Sequence, residues 1–247
     1  MSKGKYESNG RHRRRRRTFG SKSLALALAL VLLVGGVIGG TVAWLTAQTN
    51  QVNNVFTTSD IGVELSETTT EYKMIPGWTI SKNPTAKVTS GSEDCYLFIK
   101  VEEKGGDVTV DGTTYSFDNF IDYAVKTTGD NAWTVLDATK YPGVYYMMID
   151  DDSEKNKDYT ILGGGKYTDA DNVEYTWADN EVLTKPEVTK EMMAEVKESN
   201  KPTLSFTAYA VQLWKSNEPE SGATADQISA AQFTAEQAWL KISNTSN

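Results

Sequence analysis

The sequence predicts a mainly β protein, a jelly-roll-like β-sandwich with a few short peripheral helices. Three observations carry that expectation. Apolar and polar residues alternate over many short segments, the period of a half-buried strand. Turn-forming Asp, Asn, Gly and Pro separate those segments, and helical spacing is confined to two stretches near the C-terminus. Two sheets that bury their apolar faces against each other satisfy such a pattern. No repeat that would suggest a solenoid is present.

Residues 1–43 read as an export signal. Six arginines (Arg11 and Arg13 to Arg17) and Lys22 lead into LALALALVLLVGG, and Gly35, Gly36, Gly39 and Gly40 precede TVAWLTA. A basic block, an apolar block and a small-residue block in that order direct a chain across a membrane. Thr41 and Ala43 fit the small positions before a cleavage site, which places cleavage after Ala43, with Ala47 as second choice. The competing reading is an uncleaved anchor, because Ser23 to Ala47 contains no charged residue and is long enough to span a bilayer. Glycines near its outer end weaken a helix there. A twin-arginine pattern at Arg16, Arg17 and Phe19 is the kind of match that any arginine run produces.

Residues 44–58 form a segment with almost no charge that carries Trp44, Leu45, Val52, Val55 and Phe56, and residues 59–247 form one domain. DIGVELSE opens that domain as a strand, with Ile61, Val63 and Leu65 on one face. Pro76, Gly77 and Pro84 punctuate a stretch with few strand formers outside Trp78 and Ile80. CYLFIKVEE is a central strand, Tyr96, Phe98 and Lys100 facing oppositely to Leu97, Ile99 and Val101. Asp111-Gly112 suits a type I′ turn between Val108–Val110 and Thr113–Phe117. AWTVLD, GVYYMMID, DYTILG and VEYTW are further strands. PEVTKEMMAEVKE is an amphipathic helix with Pro186 just before its start. TLSFTAYAVQLW is a long late strand with Leu204, Phe206, Ala208 and Ala210 on one face. ADQISAAQFTAEQAWLKI is a terminal helix in which Thr234 and Gln237 have capping-box spacing.

Charge divides unevenly along the chain. Of 25 Lys/Arg and 33 Asp/Glu, nine basic residues and one acidic residue lie before Gln48, leaving 16 and 32 after it, a net charge of −16. Such a surface repels nucleic acid and anionic lipid and invites cations or basic partners. Cys95 is the only cysteine, so no disulfide closes within the chain. Its place beside YLFIKV makes it a buried strand residue. Export with almost no cysteine fits a Gram-positive bacterium.

His12, inside the signal, is the only histidine. The exported domain therefore has no imidazole for a Ser-His or Cys-His pair or for a His-based zinc site. No G-x-S-x-G, Walker or His-Glu-x-x-His motif is present. The acidic composition leaves open a carboxylate pair for glycoside hydrolysis. Asp150, Asp151, Asp152 and Glu154 are weak calcium candidates, hard oxygen ligands that do not follow the EF-hand spacing, and a solvated turn is the alternative. GGGK at Gly163 to Lys166 reads as a flexible connection. Tyr115, Tyr145, Tyr146, Tyr175, Trp177 and Tyr209 read as core and cross-strand packing.

GGTVAWLTAQTNQVNNVFTTSDIGVELSE resembles the signal and first strand of TasA/camelysin-type secreted proteins, in Gly40, Thr41, Ala43 and Trp44, then Asn54 and Phe56, then Ile61, Val63 and Leu65. IPGWTISKNPTAKVTSGSEDCYLFIKV is similar to the family's Pro-Gly loop, its lysine and proline (Lys82, Pro84) and the strand that follows. LSFTAYAVQ resembles its late strand. The match covers both ends of the chain, and the middle, from about Gly105 to Asn200, rests on pattern.

The resemblance implies a jelly-roll domain released by a SipW-type signal peptidase to the cell surface or biofilm matrix. There it would assemble with itself or related subunits into extracellular fibres. It also implies a mechanism: the freed N-terminus adds as a strand to a neighbour's sheet. Residues 44–58 suit that donor, and a disordered N-terminus is the alternative. A surface adhesin or accessory fibre subunit is the second reading. A camelysin-like metallo-endopeptidase is the third, opposed by the missing histidine. No cofactor is expected unless calcium binds. No Leu-Pro-x-Thr-Gly sorting motif and no second apolar span is present.

Overall fold

Two ten-residue strands, Cys95–Lys104 and Thr203–Gln212, pair antiparallel along their whole length and organise the remaining elements. The structure, a computed structural model, describes residues 47–48, 53–54, 61–67, 71–215 and 221–243. In chain order the strands are β1 (Ala47–Gln48), β2 (Asn53–Asn54), β3 (Val63–Ser66), β4 (Glu71–Tyr72), β5 (Thr79–Ser81), β6 (Thr85–Val88) and β7 (Cys95–Lys104). There follow β8 (Val108–Val110), β9 (Thr113–Tyr115), β10 (Ile121–Asp122), β11 (Ala124–Val125), β12 (Thr134–Val135), β13 (Val144–Ile149), β14 (Tyr159–Thr160) and β15 (Leu162–Gly163). The last group is β16 (Gly165–Thr168), β17 (Glu174–Trp177), β18 (Glu181–Thr184), helix α1 (Lys190–Glu195), β19 (Thr203–Gln212), α2 (Ala225–Ala231) and α3 (Ala235–Ser243).

The main sheet runs β12-β13-β7-β19-β2, and three-stranded sheets β14-β6-β3 and β10-β18-β5 stand apart from it. Alternation explains how they stack. Leu97, Ile99 and Val101 on β7 and Phe206, Ala208 and Ala210 on β19 share one face. They join Val63, Leu65, Ala86, Val88 and Val182 of the smaller sheets in one apolar core. The expected mainly β sandwich is observed, with strands on both sides of that core and only short helices.

The opposite face of the main sheet has its own cover. Tyr96, Phe98, Val144 and Val211 cluster with Ala238, Trp239 and Ile242 of α3. The Trp239 ring lies 5.4 Å from Phe98 and 5.6 Å from Tyr209, the latter edge-on. Removing each such large side chain from water contributes about 2–3 kcal/mol. Thr234 and Gln237 form the expected reciprocal cap at the start of this helix.

Several expectations are met residue by residue. β3 shows the expected face, with Ile61, Val63 and Leu65 buried. Cys95 is fully buried on β7, and burial pushes its thiol up to about 12. Asp111 (φ 49) and Gly112 (φ 79) turn the β8–β9 hairpin.

Others are corrected. GGGK is part of the sheet structure: Gly163 ends β15, and Gly165 and Lys166 open β16. A Cβ on Gly165 would sit 2.3 Å from the Trp177 indole, so the glycine serves close packing. The helix expected after Pro186, over 187–198, spans only Lys190–Glu195, because Thr189 caps it and Val196 is already extended. The C-terminal tail forms two helices, since Gln232 leaves the helical region (ψ 143) after α2. Phe117 belongs to a 3₁₀ turn over Phe117–Asn119 rather than to a strand. β6 and β18 were not foreseen; β18 is buried on both faces and so lacks alternation.

Gly143, just before β13, has φ +74, and a Cβ there would lie 2.4 Å from the Val101 carbonyl oxygen, which belongs to the strand it must approach. Gly112 has a similar φ (+79) with open space around it. Gly112→Ala is expected to cost about 1–2 kcal/mol, the left-handed penalty alone. Gly143→Ala should cost clearly more in urea unfolding, because backbone must also move. Equal losses would show that the Val101 approach is not limiting.

Candidate functional site

The outer edge of β19 is where the N-terminal segment meets the main sheet. β7 takes one side of β19 along its whole length. On the other side β2 lies parallel, Asn53 opposite Thr207 and Asn54 opposite Ala208. β2 and β19 both lie against β3, so β2 sits where the main sheet meets the second layer. A second strand of the same segment, β1, pairs antiparallel with β4: Ala47 opposite Tyr72 and Gln48 opposite Glu71. The segment between Ala43 and Ile61 is therefore tied to the domain by backbone pairing at two places.

A buried ion pair lies close to this edge. Lys82, just after β5, is 3% exposed, and its Nζ donates to Glu67 Oε1 at 2.7 Å, just after β3. The same Nζ lies 5.3 Å from the centre of the Phe206 ring, one residue before Thr207 on β19. Burial is the largest influence on Lys82 and lowers its pKa, against the raising charge and hydrogen bond of Glu67.

Of the residues singled out in the sequence, Thr41, Ala43, Trp44, Leu45, Val52, Val55 and Phe56 lie outside the described residues. Ala47 is placed in β1. Asp150, Asp151, Asp152 and Glu154 lie in the loop after β13, where Asp151 Oδ1 accepts from Ser153 N–H at 2.7 Å and Glu154 Oε2 from Asp150 N–H at 3.4 Å. Lys155, whose side chain is 8% exposed, reaches Asp152 at 2.8 Å and Asp94 at 3.1 Å. Among the described residues no three of His, Cys, Asp and Glu converge into a group that could hold a metal ion. No helix among them is long and apolar enough to cross a membrane.

An open cleft of about 700 Å³ is lined by Glu103, Asp118, Asp122, Tyr123, Tyr145 and Lys185, among others. Tyr123 Oη donates to Glu103 at 2.6 Å, and burial followed by that bond holds the phenol protonated well above its ordinary range. Its lining suits a polar or cationic group. Pattern reasoning missed it because its residues are scattered along the chain from Glu103 to Lys185.

With this geometry in view, the chain was compared with known proteins: no family profile, no curated protein and no solved structure matches it.

Lys82→Met is expected to lower stability by about 3 kcal/mol, because it leaves Glu67 charged at a site only 9% exposed. Lys82→Met with Glu67→Leu should return to within about 1 kcal/mol of the parent. The folded pKa of Lys82 is lowered, so in the window just below 10.5 the unfolded chain binds the extra proton at that side chain and the contribution of Lys82 to stability rises with pH. The raised Cys95 and Tyr123 contribute with the opposite sign, so the Lys82 contribution is read as the difference between parent and double variant. That rise should vanish in the double variant. Urea midpoints measured across the window check both statements.

Proposed function

We propose that the chain is an exported structural protein of the cell surface or biofilm matrix that assembles into fibres by donating its N-terminal segment to a neighbouring copy. The observation that carries this reading is the β2 pairing: a segment preceding the domain supplies an edge strand of the main sheet through backbone pairing. Backbone pairing at a sheet edge is indifferent to which copy supplies the strand. The same segment from a second chain can therefore take the same place.

Two further observations support export and processing. The chain separates into two units, Met1–Ala43 and Trp44–Asn247, so the boundary coincides with the first-choice cleavage site. Cleavage after Ala47 would instead cut through β1. A SipW-type signal peptidase acting after Ala43 would leave both paired strands on the released chain. The acidic balance beyond the signal suits a soluble precursor that stays dispersed until it assembles.

Chain beginning at Trp44, concentrated with and without calcium, is expected to form filaments visible by electron microscopy, and chain lacking 44–58 to stay monomeric on size-exclusion chromatography. A truncated chain that polymerises as fast as the longer one would defeat strand donation. A longer chain that stays monomeric would point to an adhesin or accessory subunit.

A further inference from the structure

The inner face of the main sheet ends in charge and aromatic surface at one edge. Leu97, Ile99 and Val101 alternate along β7 toward the core, and the next residue on that face is the exposed Glu103. Across the sheet Ile99 lies opposite Tyr145 of β13, and Tyr145 opposite Val135 of β12, the outermost strand. Residues directly opposite share a face, so Glu103, Tyr145 and Val135 all look toward the second layer. Val135 is 43% exposed, so the two layers part at this edge. The open cleft of about 700 Å³ lies there, completed by Asp118 of the 3₁₀ turn and by the stretch from Ile121 to Val125. Such a volume holds a small ligand or a long side chain.

The chemistry of the lining selects the ligand. Tyr123 Oη donates to Glu103 Oε1 at 2.6 Å, which fixes the carboxylate against the ring and leaves Oε2 for another donor. Burial, then the bond and charge of Glu103, and lastly the charge of Asp118 hold the Tyr123 phenol protonated. Ion pairing sets these carboxylates apart from their neighbours. Glu102, on the other face of β7, is held by Lys100 at 2.9 Å and Lys104 at 3.5 Å. Glu103, Asp118 and Asp122 form no ion pair with any described residue. Lys185, the only cation among the described lining residues, instead places its Nζ 4.7 Å from the centre of the Tyr167 ring. Three uncompensated negative charges around one cleft repel each other, and apolar walls concentrate their potential. A cation on an aliphatic stem relieves that repulsion, with its stem on apolar wall and its head among carboxylates and ring faces.

We propose that this cleft binds an aliphatic cation, a primary ammonium or guanidinium on a short alkyl stem, presented as a free amine or as a lysine or arginine side chain. Glu103, Asp118 and Asp122 receive the cationic head, and Tyr145 and Val135 cover the stem. The site belongs to the folded domain and does not depend on fibre assembly.

Calorimetric titration of full-length chain in a non-ionic detergent, corrected with a detergent blank, compares n-butylammonium with neutral n-butanol of similar size. The ammonium should bind saturably, at least about tenfold more tightly than the alcohol, and should weaken as salt screens the carboxylates. Equal affinities, or no saturable binding, would overturn the proposal. Asp118→Asn with Asp122→Asn removes two charges that hold no ion pair, so the urea midpoint should stay at or above the parent's while ammonium affinity falls about tenfold. Asp150→Asn with Asp226→Asn makes the same change in charge away from the cleft and should leave affinity within about twofold. An equal fall in both variants would reduce the effect to net charge and sink the site. Nα-acetyl-lysine methylamide separates the two sources: tighter binding of this blocked lysine than of n-butylammonium assigns the cleft to a protein side chain, and the reverse order assigns it to a free amine, either supporting the site.

Discussion

The register of β7 against β19 is the constraint from which the rest of the architecture follows. Cys95 opposes Gln212 and Lys104 opposes Thr203, with every intervening residue paired. A slip of one residue would turn Phe206, Ala208 and Ala210 out of the core and send Ser205, Thr207 and Tyr209 into it. Large meets small across the ladder on the inner face, Ile99 opposite Ala208 and Leu97 opposite Ala210, which leaves room for the second layer to approach. On the outer face Tyr96 opposes Val211 and Phe98 opposes Tyr209, an aromatic surface that an amphipathic helix can cover. α3 sits there because Ala238, Trp239 and Ile242 lie along one stripe.

Much of this was legible in the sequence, for identifiable reasons. β3, β7 and β19 each put different chemistry on their two faces, so alternation revealed the strand and its buried side together. The β8–β9 turn was legible because Asp111-Gly112 has few other conformations open to it. β18 and β6 were not. Val182, Leu183 and Thr184 are all buried, so no alternation marks them. β6 alternates as β3 does, but it follows Pro84 directly and its fully buried positions are the small Ala86 and Val88, so its apolar signal is weak. The GGGK stretch misled because glycine signals freedom in a sequence, whereas here it permits contact with Trp177.

The site divides along the same line. That an apolar segment precedes the domain can be read from composition, but the strand it meets is fixed by tertiary contacts. Asn53 and Asn54 carry no strand signature of their own, and Asn is disfavoured in strands, so only the edge of β19 makes them one. Lys82 and Glu67 stand 15 residues apart and come together only because β3 and β5 end near each other. The acidic run at Asp150 to Glu154 shows the reverse: a conspicuous sequence feature whose charges meet turn N–H groups and Lys155 once folded.

On the proposed reading, the short β2 ladder is suited to exchange because it is short. Each backbone hydrogen bond contributes only about 1 kcal/mol net, so a two-residue ladder holds its strand weakly compared with the ten-residue β7–β19 pair. The contacts made by a chain's own segment and by a neighbour's are the same, so their strengths cancel in the comparison. The difference is entropic: the chain's own segment is tethered through residues 55–62, and a short tether acts as a local concentration on the order of millimolar. A neighbour's segment prevails where copies are crowded to that level, or where each added subunit gains contacts that the closed monomer lacks. Fibre growth by this route would therefore be steeply dependent on concentration, and the same chain would persist as a self-paired monomer when dilute.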